Sequence, residues 1–263
     1  MLGGLFLCFG LLCCAQERPD CIMFYNTENF FDIKDDPATA DEEYSPEGTK
    51  AWTYSRYVKK CDHLARAITA VGGYDLPVVI GLCEVENKAV LFDLVQHRLL
   101  KRVHYSLIHR DSPDRRGIDV AVIYDPERFI PLHQDWIRVY LPDNPDFRTR
   151  EILYVKGVLN SRDTLHLFFN HWPSRWGGVA ASRHKRICAA RHLRSAVDSI
   201  YLADRLPRII IMGDFNDNPG DSSVFQVLGA KNPGEGKLHN MAFGFQGTLK
   251  YRAAWENFDQ VII

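Results

Sequence analysis

The 263-residue sequence lacks an excess of either charge: 32 Lys and Arg stand against 33 Asp and Glu, a formal net charge of −1. That balance excludes a global basic field of the kind that holds nucleic acid non-specifically, so such a substrate would have to be held locally. No CxxC or Cys/His spacing suggests zinc. Of the seven cysteines, Cys8, Cys13 and Cys14 lie in the first apolar stretch, leaving Cys21, Cys61, Cys83 and Cys188. Cys83 sits in an apolar strand and Cys61 on a helical apolar face, which reads as buried free thiols rather than a disulfide framework. There is no internal repeat and no linker that would split the chain. The long apolar run, Leu2 to Cys14, is too short to span a membrane. With Ala15 before polar Gln16-Glu17-Arg18, residues 1–16 read as a secretory leader and place the remainder outside the cytoplasm, periplasmic or secreted. The run has no Lys or Arg before it, so an uncleaved anchor or a misassigned start stay open; Cys13 and Cys14 raise a lipoprotein, although the residue before each is not the usual small one.

The segment Arg208-Ile-Ile-Ile-Met-Gly-Asp-Phe-Asn-Asp-Asn-Pro219 is the focus of the remaining sequence. Its apolar residues make a short buried strand, broken by Gly213 and Pro219-Gly220. Asp214 and Asn216 are two apart and project to one side of an extended backbone. A carboxylate and an amide delivered together at a strand end suit phosphate or metal chemistry; an Asx-rich turn capping a strand is the plain alternative. A calcium loop of the EF-hand type is excluded. Its sixth position would be Pro219 where glycine is needed, and its twelfth Phe225 where a bidentate glutamate is needed.

Other strands end the same way. Cys21–Tyr25 is a strand ending at Asn26-Thr-Glu28-Asn29, and residues 34–50 are an acidic surface loop. From Tyr57 a helix keeps Val58, Cys61, Leu64, Ala65, Ile68 and Val71 on one side until Gly72-Gly73 stops it. Pro77–Cys83 is a buried strand running into Glu84-Val-Glu86-Asn87, followed by a helix with Leu91, Leu94, Val95 and Leu99 on one face. A glutamate at the carboxyl end of a buried strand, before a helix, stands where open sheets place ligands, which favours function for Glu84; Glu86 reads as a satisfied surface residue. Ile118–Tyr124 is a strand, and an irregular segment with Pro131, Pro142 and Pro145 follows to Arg150. Residues 152–158 and 164–169 form a hairpin leading into Asn170-His171-Trp-Pro-Ser-Arg175. A lone histidine is more often structural, but His171 is followed by Arg175 and a glycine pair that lets a ligand approach the backbone. Residues 182–200 are a basic helix, most of whose charge is a solvated face. After the Arg208 strand come a glycine-rich loop, 229–247, and short strands at 248–251 and 255–263. Strands and helices without regular βαβ alternation argue for an α+β layered domain.

These strand ends, in this order, resemble the endonuclease/exonuclease/phosphatase superfamily, which includes DNase I-like nucleases, sphingomyelinases and inositol phosphatases. The resemblance runs from about residue 21 to the end. It rests on Gly213-Asp-Phe-Asn-Asp-Asn-Pro219, on Glu84 after its strand, and on Asn26-Thr-Glu28, Arg116-Gly-Ile-Asp-Val-Ala-Val and Asn170-His171-Trp-Pro. It implies a four-layer α/β sandwich, two packed mixed sheets with helices outside, over residues 20–263. It also implies metal-assisted hydrolysis of a phosphoester, with Mg²⁺ as cofactor and Mn²⁺ or Ca²⁺ as substitutes. By resemblance Glu84 is the principal metal ligand and Glu28 a possible second. Asn26, Asn170 and Arg175 hold the phosphate, Asp214 handles the attacking water, Asn216 binds phosphate, and His171 donates to a phosphoryl or leaving oxygen. Hard carboxylate oxygens suit Mg²⁺, while neutral amides and an imidazole bind phosphate without adding negative charge.

One departure stands out. The family pattern closes on a late Ser-Asp-His-x-Pro strand, and an earlier Asp orients that histidine. Here Phe258-Asp259-Gln260 matches the orienting Asp, and the sequence ends at Val261-Ile-Ile263 within an apolar strand. The expectation is a chain incomplete at its C-terminus, with last strands missing and turnover weakened. The leading expectation for function is a Mg²⁺-dependent phosphodiesterase, an endonuclease acting on nucleic acid, monomeric and without a stable protein partner. A phosphatase or a phospholipid or inositol-phosphate hydrolase of the same fold is the alternative. A binding module with a decayed site is the alternative of another class.

Overall fold

In a computed structural model, the chain is described over residues 20–72, 75–251 and 253–263, so the leader reading falls on residues outside the described ones. Among the described residues no helix is long and apolar enough to cross a membrane.

In chain order come β1 (Ile22–Phe30), α1 (Tyr54–Gly72), β2 (Val79–Val85), α2 (Lys88–Val95), β3 (Ser106–Ile108) and β4 (Asp119–Tyr124). They are followed by β5 (Phe129–Ile137), β6 (Ile152–Leu159), β7 (Thr164–His171), α3 (Val179–Ala203) and β8 (Arg208–Asp214). A π-helical turn at Ser223–Leu228 precedes β9 (Ala230–Lys231), β10 (Leu238–His239), β11 (Leu249–Tyr251), β12 (Ala254–Glu256) and β13 (Asp259–Ile262). The strands build one four-stranded sheet in the order β1-β2-β4-β3 and one five-stranded sheet in the order β13-β8-β7-β6-β5. Within these two sheets β1 with β2, and β7 with β8, are the parallel neighbours, so the carboxyl ends of each pair share an edge.

Three apolar clusters make the layers. Ile80, Leu82 and Ala121 pack the outer face of the first sheet against Leu64 and Ile68 of α1 and Leu91 and Leu94 of α2. Phe168 and Ile211 pack the second sheet against Ala190, Leu193 and Val197 of α3. Between the sheets lie Val79, Val122, Leu153, Val155, Leu167, Phe169 and Met212. The result is the expected helix–sheet–sheet–helix sandwich, and the alternating burial of both strand faces is why these strands read as unbroken apolar runs. Phe169 of the second sheet lies on Gly81 of the first: a methyl group at Gly81 would sit 2.1 Å from the Phe169 ring.

Three differences from the sequence reading have physical causes. The stretch expected to be irregular contains β5, which pairs with β6 from Phe129↔Leu159 to Ile137↔Ile152, with a register shift between Pro131 and His133. β5 occupies the sheet edge, where a proline costs no ladder bond, and its exposed residues hide the apolar pattern. The segment 255–263 is split, β12 pairing with β11 and β13 joining the large sheet. Glu86 is buried, not a surface residue, and accepts from the Asp32 amide at 2.5 Å; burial first, then the charges of Asp32 and Asp41, push its carboxyl up to about 8. Cys21, Cys61, Cys83 and Cys188 are free, the last three buried. The outer side of β13 is not bare: Met241 donates to Val261 at 2.8 Å, and His239 and Ile263 exchange backbone bonds at 2.7 and 2.9 Å.

A buried ion pair ties the sheets together beside the parallel strand ends. Arg150 Nη1 donates to Asp114 Oδ2 at 2.8 Å and its Nη2 to the Trp172 carbonyl at 2.6 Å, while Arg116 closes on Asp114 from the other side. Burial alone would raise the Asp114 pKa, but the two guanidinium groups, Arg150 foremost, hold it below the usual carboxylate value. A depressed folded-state pKa gives stability that is present above the unfolded pKa and lost as pH falls through the folded one. Asp114→Asn should therefore cost about 3 kcal/mol near neutrality, the range for removing one member of a buried pair. In urea titrations the gap from the wild type should close as pH drops below about 4. Gly81→Ala should cost about 1–3 kcal/mol in the same assay by forcing Phe169 aside.

Candidate active site

Four strand ends meet at one rim. Asn26 and Glu28 come from β1, Glu84 from β2, Asp214 from β8 with Asn216 just beyond it, and Asp259 from β13. With Phe24, Tyr25, Asn29, Thr248, Leu249 and Phe258 they line an open cleft of about 760 Å³. The register explains the convergence: Asn26 is paired with Cys83, next to Glu84, and Asp259 lies directly across from Asp214.

The backbone is strained to do this. Seven described non-glycine residues have positive φ, and four belong to this rim: Glu28 at 52°, Asn29 at 65°, Glu84 at 59° and Asn216 at 49°. Left-handed backbone costs an L-residue roughly 1–2 kcal/mol, and such outliers concentrate where function requires them. Glu84 sits at a bulge, where the pairing of β2 slips against both β1 and β4. Thr27, buried between Asn26 and Glu28, holds that bulge by donating to the carbonyls of Cys83 at 2.7 Å and Glu84 at 3.0 Å. Gly213 allows β7 and β8 to close up, since a Cβ there would lie 2.4 Å from the Asn170 carbonyl.

Asn26 is the hub. Its Nδ2 donates to Asp214 Oδ2 at 3.0 Å and reaches Glu84 Oε1 at 3.4 Å, joining the acidic ends of the two sheets. Glu84 Oε2 also accepts from the Asn29 amide at 2.9 Å, and Asp214 Oδ1 from the Asn216 amide at 2.9 Å. Burial, then the charge of Asp259 and that of Glu84, push the Asp214 carboxyl up to about 7. The Asp259 carboxyl is raised as well, by burial first and by the charges of Glu84 and Glu28, and its Oδ1 is buried without a hydrogen-bond partner. Lys60, half-buried on α1, donates to the Glu28 carbonyl at 3.0 Å; burial lowers its pKa, against the pull of Glu28 and Glu84.

His171 lies behind the carboxylates. It is 4 % exposed, and its Nε2 stands 3.6 Å from Glu84 Oε1 and 3.9 Å from Asp214 Oδ2. Burial, with Arg150 and Arg116 adding to it, drives its pKa well below the ordinary value, so the ring is neutral and these contacts are not ion pairs. Two residues expected to hold phosphate are otherwise engaged. Asn170 is fully buried, its Nδ2 on the Met212 carbonyl at 3.1 Å and its Oδ1 accepting from Trp172 Nε1 at 3.1 Å. Arg175 is locked to the loop after β8, donating to the Asn216 carbonyl at 2.8 Å and pairing with Asp221 at 2.9 Å, Asp217 at 3.3 Å and Glu256 at 3.5 Å. Both side chains support the site from outside the cleft. Fully buried Arg186 also pairs with Asp217, at 2.7 Å.

A separate trio, His109, Asp111 and Asp119, presents ligand atoms within 4.8 Å of one another. Two of the three are already paired, His109 Nε2 with Asp119 Oδ2 at 2.8 Å, and Asp119 Oδ1 takes the Ser112 amide at 2.8 Å. It is a turn closed by a buried His–Asp pair.

The sequence reading missed Thr27, Lys60, Arg150 and Arg186. Thr27 was legible as the residue between two site residues on a strand. The others carry no local signal, because each reaches the site from another layer.

Among solved structures the fold is similar to the human Nocturnin catalytic domain with bound sulfate, at 19 % identity and a TM-score of 0.58, covering 82 % of this chain and 77 % of that one. It is also similar to the mannosyl-6-phosphatase Bt3783 of Bacteroides thetaiotaomicron, at 13 % identity and a TM-score of 0.62, covering 93 % and 85 %. A humanised TDP2 of D. rerio aligns at 15 % identity and a TM-score of 0.59, covering 92 % and 81 %. No curated protein matches by sequence. The pattern of the Endonuclease/Exonuclease/phosphatase family matches residues 21–263. With nearly all the described residues inside that match, the chain belongs to the endonuclease/exonuclease/phosphatase family and is a hydrolytic enzyme acting on phosphoesters.

Proposed function

We propose that the cleft hydrolyses a phosphodiester with the help of a divalent cation, Mg²⁺ for preference, and that its substrate is nucleic acid. The observation that carries this reading is the convergence of Glu28, Glu84, Asp214 and Asp259 around one neutral amide, with a buried oxygen of Asp259 unpartnered. Packed acids repel and raise one another's pKa values, and a hard cation with oxygen ligands answers that charge. The donor set fits: Glu84 and Glu28 would hold the ion, and Asp214 and Asp259 offer further oxygens. Bound there, the ion would neutralise charge on the phosphoryl oxygens.

The remaining work belongs to the side chains. Asp214, held by the Asn216 amide on one oxygen and Asn26 on the other, is aimed by two bonds and takes a proton from the attacking water. Asn216 lines the cleft, and its Nδ2 is oriented by the Trp172 carbonyl at 3.0 Å, which sets the amide for phosphate. His171 keeps a neutral ring between Glu84 and Asp214, and donates there to a phosphoryl or leaving oxygen that enters between them. Asp259 adds negative charge beside Asp214 and raises its basicity. Asn170 and Arg175 act as positioning residues.

A second reading, a phosphomonoesterase acting on a small phosphate, is favoured by the near-zero net charge. The mannosyl-6-phosphatase shares this fold. An extracytoplasmic location accords with either reading and is proposed on the leader alone.

Hydrolysis of bis(p-nitrophenyl) phosphate should require Mg²⁺ and stop with EDTA, and Glu84→Ala or Asp214→Ala should lower kcat by about 10²–10⁴-fold. Unchanged turnover in both variants would refute the site. Mg²⁺ should raise the melting temperature of the wild type and leave that of Glu84→Ala where it was, because an ion that binds only the folded state stabilises it. On a substrate panel, phosphodiesters should outrun sugar and inositol monophosphates; the reverse order selects the second reading.

A further inference from the structure

A second cleft, of about 650 Å³, lies beside the catalytic one and takes no part in the chemistry described above. Its walls come from the turn before β4, the segment 144–150 and the start of α3. Arg115, Arg116 and Arg148 are exposed on it, Lys185 is half-buried, and Arg150 forms part of its back wall. The carboxylates facing it are Asp114 and Asp146. Asp114 is already taken by Arg116 and Arg150, and Asp146 is exposed. Arg148 donates only to the carbonyls of Pro145 at 2.7 Å and Phe147 at 3.1 Å. Lys185 lies over the Phe147 ring at 5.7 Å. Among the described residues, none of Arg115, Arg148 and Lys185 has a carboxylate within ion-pair distance.

Two further features mark a built site. Thr149 Oγ1 and Arg150 Nε are buried without hydrogen-bond partners, and both residues, about 95 % buried, line the cleft. On its rim stands Trp176, 88 % exposed. It is followed by Gly177 and Gly178 at φ +81° and +109°, with open space around both. An indole left in water beside unpaired cations is the opposite of what folding alone selects.

One backbone carbonyl joins a residue of this cleft, Arg150, to one of the catalytic cleft, Asn216. The Trp172 carbonyl that accepts from Arg150 Nη2 at 2.6 Å also accepts from Asn216 Nδ2 at 3.0 Å. A ligand filling both clefts would carry one anion at the carboxylate rim and another at the cationic one, with a flat apolar ring between or beyond them. A sugar monophosphate has one such anion and no π-face. A nucleic-acid strand has both, repeating.

We propose that this cleft binds an unpaired nucleic-acid strand: Arg115, Arg148 and Lys185 hold a backbone phosphate next to the scissile one, and a base stacks on Trp176. The proposal rests on the phosphodiesterase reading and narrows its substrate to nucleic acid with unpaired bases.

The test is the affinity of a fluorescein-labelled single-stranded DNA of about 12 nucleotides, read by anisotropy in EDTA, for the whole protein and its variants. Trp176→Ala should weaken binding by about 10-fold, the scale of one lost base–aromatic stack. Arg115→Ala with Arg148→Ala should weaken it further and reduce the slope of log affinity against log salt by about one. Melting temperatures report whether each variant is folded, and bis(p-nitrophenyl) phosphate turnover of the wild type is followed in parallel. Equal binding by wild type and folded variants overturns the proposal. So does a wild type that turns over the small ester but does not bind the strand, an outcome that leaves the catalytic reading standing. A loss confined to inorganic phosphate, with the strand bound as before, overturns it in favour of a small anion.

Discussion

A single carboxamide, that of Asn26, joins the acidic ends of two sheets whose shared interior is apolar. Glu84 belongs to the first sheet and Asp214 to the second, and their charges repel. The Asn26 hydrogens, shared at 3.0 and 3.4 Å, are the direct polar link between them. Everything around the rim serves that approach: the Thr27 hydroxyl on the bulge, the Asn29 and Asn216 amides on the outer oxygens, and Gly213 where the strands close up. The repulsion is not removed, only organised. Burial first, and that repulsion after it, raises the pKa values of Asp214 and Asp259.

Behind this rim, buried ions keep the loops from relaxing away. Arg150 fastens the turn before β4 to the end of β7 through Asp114 and the Trp172 carbonyl. Arg186, fully buried, fastens α3 to Asp217, which also takes the Ser223 hydroxyl at 2.6 Å. Arg175 adds three acidic partners and stacks on Phe258 at 4.5 Å. Buried pairs of this kind contribute little net stability, but losing one partner is costly. Their effect is to fix geometry.

The layers were legible in the sequence because buried strands carry a one-dimensional signal: Pro77–Cys83 and Ile209–Met212 are apolar throughout, and helix α1 repeats its apolar face. Glu84, Asp214 and Asn216 were legible for the same reason, as polar residues that abruptly end such runs. β5 was not, since an edge strand with Pro131 exposes alternate residues and shows no run. Nor were the tasks of Asn170 and Arg175. Both stand next to site residues in sequence, yet which way a side chain turns at a strand end depends on partners from elsewhere, Met212 and Trp172 for one, Asp217 and Asp221 for the other. Asp259 was recognised by its neighbours Phe258 and Gln260, but that it faces Asp214 is a matter of β-ladder register.

In the proposed function, the left-handed backbone at Glu28 and Glu84 sets stability against activity. Glycine at either position would adopt the same φ without the steric cost of a Cβ, and it would also remove a carboxylate from a cluster that repels itself. A chain that had lost its chemistry at this rim would thus be easier to fold than one that kept it. Selection for folding alone would not favour keeping these residues; under the proposed function, selection for catalysis would.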